Sequence, residues 1–130
     1  MSAAVDASAL LALLFGEPGA ETVAEAIAAQ AAISTVNLAE VATVLVRHDR
    51  DPAAVLAPVC DQVAVQPFTD ADALAAAVLY PQTAGRGLSL GDRACLVLAR
   101  RLEGPALTAE HAWAELDLDV EVRLIRPRSA

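Results

Sequence analysis

Two patterns alternate along the chain. Short apolar runs, the mark of buried strands, are separated by longer segments in which apolar side chains recur at helical spacing. Residues 2–5 are apolar and stop at Asp6, which predicts a short buried strand, and 7–14 predict a first helix. Gly16 and Pro18 then break the pattern. Residues 19–29 predict a helix with Val23 and Ile27 one turn apart and Glu21 and Glu25 on a solvated face. A second strand is expected over 31–35 and a helix over 37–48, with Val41, Val44 and Leu45 on one side. Pro52 opens another helix, at the turn where proline fits best, and Pro58 should kink it or end it early. Val63 and Val65 mark a third strand stopped by Pro67. A helix with an acidic first turn follows over 70–79, then a loop over 81–87. The clearest helix is 89–102, with Arg100 and Arg101 in its last turn, where the helix dipole favours cations. Residues 105–107 predict a fourth strand, Thr108 the start of a short helix ending near Glu115, and 120–125 a last strand.

Alternation of this kind predicts an α/β fold, with a mainly parallel sheet covered by helices on both faces. Residues 1–130 are read as a single domain, a length that suits one hydrophobic core.

Composition removes several chemistries. The chain holds 31 Ala, 9 Arg and no Lys, and 17 acids bring its net charge to -8. Without lysine there is no Walker A loop and no Schiff-base chemistry, and a two-component receiver domain, which also relies on a lysine, is not expected. The acidic balance argues against non-specific nucleic-acid binding, which rests on neutralising phosphates with Lys and Arg. It leaves room for a nuclease in which metal ions bridge carboxylates to phosphate. Cys60 and Cys95 sit in apolar, helix-like stretches with no Cys/His cluster, and are expected to be buried free thiols in a reducing cytoplasm. No basic leader precedes the apolar run 7–15, so neither a signal peptide nor a membrane span is expected.

In parallel sheets, sites form beyond the carboxyl ends of the strands. That rule selects four acids. Asp6 follows the first strand, Glu40 is expected on the first turn of the helix after the second, Asp92 on the first turn of the 89–102 helix, and Glu110 just after the fourth strand. Three or four carboxylates at one edge suit one or two hard cations, Mg²⁺ or Mn²⁺. Each acid also has a structural reading. Asn37-Leu-Ala-Glu40 and Ser89-Leu-Gly-Asp92 both have the spacing of a capping box, Asp6 can cap the first helix, and Glu110 suits a first turn. Arg86 and Arg93, beside Asp92, are the candidate phosphate contacts, with a salt bridge or a solvated position as the other reading of Arg93. His48 and His111 read as surface residues, and Trp113 and Phe68 as core.

Four segments together resemble the PIN-domain ribonucleases, most closely the VapC-type toxins of toxin–antitoxin pairs. They are Val5-Asp-Ala-Ser-Ala-Leu10, Ser34-Thr-Val-Asn-Leu-Ala-Glu-Val41, Leu88-Ser-Leu-Gly-Asp-Arg-Ala94 and Leu107-Thr-Ala-Glu-His-Ala-Trp113. The resemblance implies a three-layer α/β/α sandwich and endonucleolytic RNA cleavage with Mg²⁺ or Mn²⁺. It also implies an antitoxin whose C-terminal segment blocks the site, and commonly a homodimer. The family's acids fall on Asp6, Glu40, Asp92 and Glu110; the last is usually Asp. Thr108 matches the small hydroxyl residue kept beside that acid, and Asn37 lies near the site in the family pattern.

On this reading Asp6 and Asp92 hold the metal, while Glu40 and Glu110 complete its shell or orient water, Glu110 from further out. No histidine base is needed for metal-assisted hydrolysis. The acidic pocket should draw a basic antitoxin side chain, with apolar residues of the 19–29 and 37–48 helices holding its anchors. Two alternatives stay open: a nuclease on DNA or a phosphatase, and a degenerate PIN domain that only binds a partner or RNA, which the Glu110 departure favours.

Overall fold

A computed structural model describes residues 2–127, so Met1 and residues 128–130 of the expected 1–130 domain lie outside the described residues. Among the described residues, five strands alternate with seven α-helices. In chain order these are β1 (Ala4–Val5), α1 (Ala7–Phe15), α2 (Ala20–Ala28), β2 (Ala32–Ser34), α3 (Thr35–Arg47) and α4 (Pro52–Cys60). There follow β3 (Ala64–Gln66), α5 (Asp70–Val78), α6 (Tyr80–Thr83), α7 (Leu90–Leu102) and β4 (Ala106–Thr108). A 3-10 turn (His111–Glu115) and β5 (Val122–Leu124) complete the chain. The sheet order is β3-β2-β1-β4-β5, and every neighbouring pair is parallel. This is the expected α/β sandwich with a parallel sheet.

The two faces of the sheet carry different side chains because strand residues alternate sides. Val5, Ile33 and Leu107 join the core under α1, α2, α3 and α4. Ala4, Ala32 and Ala106 lie in register and join the core under α5, α7 and Trp113. A row of alanines lets α7 lie close to the sheet, and the Cys95 Sγ comes within 3.9 Å of the Ala4 carbonyl oxygen. Residues 94–99 of α7 are all buried. The helix crosses the centre of the sheet, and its first turn arrives at the carboxyl edge.

Several local expectations are corrected. Helix α3 begins at Thr35, with Ser34 as its cap, so Asn37 lies inside the helix and Glu40 in its second turn. The 37–40 spacing is therefore not a capping box. Helix α4 runs through Pro58 to Cys60. Pro58 and Ala54 are both exposed, so water can take the carbonyl that the missing N–H leaves free. The expected loop over 81–87 opens with a turn of helix, α6, since proline fits a first turn. Thr108 ends β4, and the 3-10 turn starts at His111. Cys60 is exposed at the end of α4; Cys95 is buried as expected. No helix among the described residues is long and apolar enough to cross a membrane.

The strand order decides where a site can form. From β1 the chain steps outward through β2 to β3, then returns to place β4 on the other side of β1. A crevice opens where the order reverses, at the carboxyl ends of β1 and β4. Asp6 follows the first of these strands and Glu110 the second.

Candidate active site

Asp6 is 2% exposed and is held by groups from both strand ends. Its Oδ1 accepts the Ala9 N–H at 2.8 Å, which caps α1. Its Oδ2 accepts the Thr108 hydroxyl at 2.6 Å, and the Ser8 hydroxyl donates to Oδ1 at 2.8 Å. Both hydroxyls are oriented from behind, since Ser8 Oγ accepts the Ala109 N–H and Thr108 Oγ1 the Glu110 N–H, each at 2.9 Å. Their protons are thereby directed at Asp6. Burial nevertheless outweighs these donors. It pushes the Asp6 carboxyl up to about 6, with the nearby Asp92 adding to the rise.

Asp92 both caps a helix and faces the crevice. Its Oδ2 accepts the Ser89 N–H at 2.8 Å, while Ser89 Oγ accepts the Asp92 N–H, closing a capping box at the start of α7. No hydrogen bond engages Oδ1 among the described residues. Burial raises the Asp92 pKa, against the Ser89 bonds and Arg93, which lower it.

Glu40 reaches the same crevice from α3. Asn37, one turn earlier and 1% exposed, donates its Nδ2 to Glu40 Oε1 at 2.8 Å and to the Gly91 carbonyl at 2.9 Å. This pins α3 to the first turn of α7. The Asn37 Oδ1 is buried without a partner among the described residues. A Cβ at Gly91 would meet the Glu40 carboxylate, the movable end of that side chain, so glycine here lets Glu40 lie against the first turn of α7.

Asp6, Glu40, Asp92 and Glu110 all line one cavity of about 400 Å³, together with Ser8, Ser89 and Trp113. Glu110 is exposed at its rim, at the residue before the 3-10 turn, and its side chain makes no capping bond there. None of the four forms an ion pair among the described residues. Beneath them the buried Cys95 thiol is driven well above its usual range, first by burial and then by Asp6, Asp92 and Glu40. A larger cavity, about 690 Å³, opens beside Thr22, Glu25, Pro105 and Arg123, but Glu25 is its only acid among the described residues.

The donor set fits a hard divalent cation: carboxylate oxygens, uncompensated and partly dehydrated. Among the described residues no three His, Cys, Asp or Glu side chains are gathered into a metal-holding group. An ion here would take one or two carboxylates and fill its remaining positions with water, as Mg²⁺ usually does.

The other sequence candidates separate. Thr108 and Asn37 position Asp6 and Glu40. Arg93 turns away from the acids, donating to the Ala76 carbonyl at 2.9 Å and lying 5.4 Å from the Tyr80 ring centroid. Arg86 lies 3.8 Å from Glu115 and does not line the cavity. Sequence reasoning gave no role to Ser8 or Gly91. The Asp-x-Ser spacing could have indicated Ser8, as such residues often bond locally; nothing local indicates Gly91.

A PIN domain family model matches residues 3–118. No curated protein matches the chain. Similar solved structures include VapBC2 from Rickettsia felis bound to a promoter DNA fragment, at 13% identity and a TM-score of 0.76, covering 95% of this chain and 98% of that one. A toxin–antitoxin complex from Klebsiella pneumoniae is 19% identical with a TM-score of 0.74, covering 96% and 98%. VapBC-5 from Mycobacterium tuberculosis, of the VapBC family of toxin–antitoxin systems, is 25% identical with a TM-score of 0.62, covering 98% and 100%.

Proposed function

This chain belongs to the PIN domain family, and on that premise we propose that it is the toxin of a toxin–antitoxin pair, a divalent-metal-dependent endoribonuclease. One observation carries the reading: four carboxylates with no ion-pair partner among the described residues line a single cavity at the point where the strand order reverses. The likeness to VapBC complexes over nearly the whole chain supports a protein antitoxin as partner, and a homodimer is the assembly we propose with it.

Asp6 and Asp92 are the residues that would hold Mg²⁺ or Mn²⁺. The chemistry such an ion would supply there is Lewis-acid polarisation of the phosphate and a lowered pKa for the attacking water. The chain's own part is preorganisation. Thr108, Ser8 and the Ala9 N–H fix the Asp6 carboxylate, and Ser89 fixes one oxygen of Asp92 while leaving the other toward the crevice. Asn37 fixes Glu40, whose second oxygen is then available to orient water. Glu110, exposed at the rim, serves as an outer acid.

The test is cleavage of total RNA by the purified protein with and without Mn²⁺, alongside single-stranded DNA and a phosphomonoester. RNA fragments that require both Mn²⁺ and Asp6 are expected. Cleavage of DNA or of the monoester alone would reassign the substrate. The spread of the acids favours one second reading, a PIN domain that binds without cutting. Tight RNA binding with no products at any Mn²⁺ concentration would establish it.

A further inference from the structure

The acid cavity does not end at Asp6. A second cavity of about 430 Å³ shares Ser8, Leu11 and Val44 with it and continues along α1 and α3 to Phe15, His48 and Arg126. The Phe15 and His48 rings meet there with centroids 5.5 Å apart, tilted by 52°. Phe15 is 37% exposed, unlike Trp113, which is 1% exposed in the core. Arg126 is the one arginine lining either cavity among the described residues. Its bonds to Glu17 and the Pro18 carbonyl both run through Nη1, and among the described residues its other nitrogens are unengaged.

We infer that this extension is a nucleotide subsite: Phe15 and His48 form a wall on which an unpaired RNA base stacks, and Arg126 takes the adjoining phosphate. The inference rests on the ribonuclease reading and adds a position for one base and its phosphate beside the cut bond. Single-stranded RNA is commonly held by stacking its splayed bases on Phe, Tyr, Trp or His, an interaction that tolerates many sequences. The layout follows the same logic. Carboxylates occupy the end where a phosphodiester would be cut, Leu11 and Val44 offer an apolar passage, and at the far end the rings stand beside Arg126, which shares that end with its ion-pair partner Glu17. A chain of net charge -8 has few places to hold RNA, so a cation on this path counts for more than one elsewhere.

The test measures cleavage of a single-stranded RNA oligonucleotide by wild type, Phe15→Leu, Phe15→Tyr and Arg126→Gln, with an abasic ribose walked along each side of the cut bond. Phe15→Leu should raise KM about tenfold, in the range that loss of one stacked base gives, with kcat within about twofold. Phe15→Tyr should behave as wild type. One abasic position should cost wild type a similar factor and cost Phe15→Leu nothing further. Arg126→Gln should lessen the salt dependence of KM by about 0.7 in log–log slope, the contribution of one phosphate contact on a single strand. A flat abasic scan in wild type overturns the inference without any mutant, while cleavage itself keeps the ribonuclease reading intact. Unchanged RNA kinetics in Phe15→Leu, with a weakened complex with a co-expressed protein partner, would assign the groove to that partner and overturn it as well. If wild type cuts no RNA, the ribonuclease reading falls and this inference with it.

Discussion

Thr108 Oγ1 donates a 2.6 Å hydrogen bond to Asp6 Oδ2 across 102 residues of sequence, joining the carboxyl ends of adjacent strands. The bond lowers the Asp6 pKa against the burial that raises it to about 6. Thr108→Val keeps the shape and removes the donor. The metal-free titration of Asp6, followed by carboxyl carbon NMR, should then move above about 6, and cleavage should fall by about one to two orders of magnitude. An unmoved titration would mean that the bond does not govern this carboxylate.

The raised pKa has a sign in stability. Folded Asp6 holds its proton to about pH 6, whereas its ordinary value is 3.8. Metal-free stability is therefore lost as pH rises from about 4 to about 6, by roughly 3 kcal/mol in all. Asp6→Asn should be more stable than wild type at pH 7.5 in EDTA, and that advantage should shrink as pH falls toward 4. Urea denaturation at both pH values measures it. Mn²⁺ should stabilise wild type and do little for the variant.

Asp92 combines a cap with a site carboxylate, and two substitutions separate the roles. Asp92→Asn keeps an oxygen for the Ser89 N–H and should abolish cleavage with stability within about 0.5 kcal/mol of wild type. Asp92→Ala should be equally inactive and lose about 1 kcal/mol more, as a lost cap does. Equal stability of the two variants would show that the capping box contributes nothing.

Gly91→Ala sets intrinsic propensity against geometry. Alanine is the better helix former by about 1 kcal/mol. Its methyl, however, would occupy the place of the Glu40 carboxylate. Cleavage should drop at least about tenfold while the melting temperature holds or rises. A variant with full activity would show that Glu40 can act from another position.

Glu110 is exposed at the rim of the cavity. Glu110→Ala should slow cleavage less than Asp6→Ala does, and Glu110→Asp should retain activity. Rates on one RNA at matched Mn²⁺ decide it. A Glu110→Ala as inactive as Asp6→Ala would make this acid a direct ligand.

The strand pattern and its bordering acids could be read from the sequence because each depends on neighbours a few residues away. Asp6, Asp92 and Glu110 sit where an apolar run stops or a helix starts, and those signals are local. What holds the acids is not local. Asn37 reads as a cap in sequence but lies buried inside α3, because its partner is the Gly91 carbonyl 54 residues on. Gly91 looks like any helical glycine until Glu40 lies against it. Cys60 sits in an apolar stretch yet faces outward, since the core side of that turn of α4 is taken by Val59. Arg93, next in sequence to Asp92, points to α5 because successive helical side chains diverge by about 100°.

The sheet order also sets a schedule. A ribosome makes Asp6 about a hundred residues before the strand that supplies its Thr108 partner. Until β4 has left the exit tunnel and inserted beside β1, the nascent chain has an aspartate but no oriented hydroxyls, no crevice and no Glu110. Interrupted translation products therefore carry no assembled site. An enzyme that cut RNA would be inert toward the message still being read until β4 had emerged.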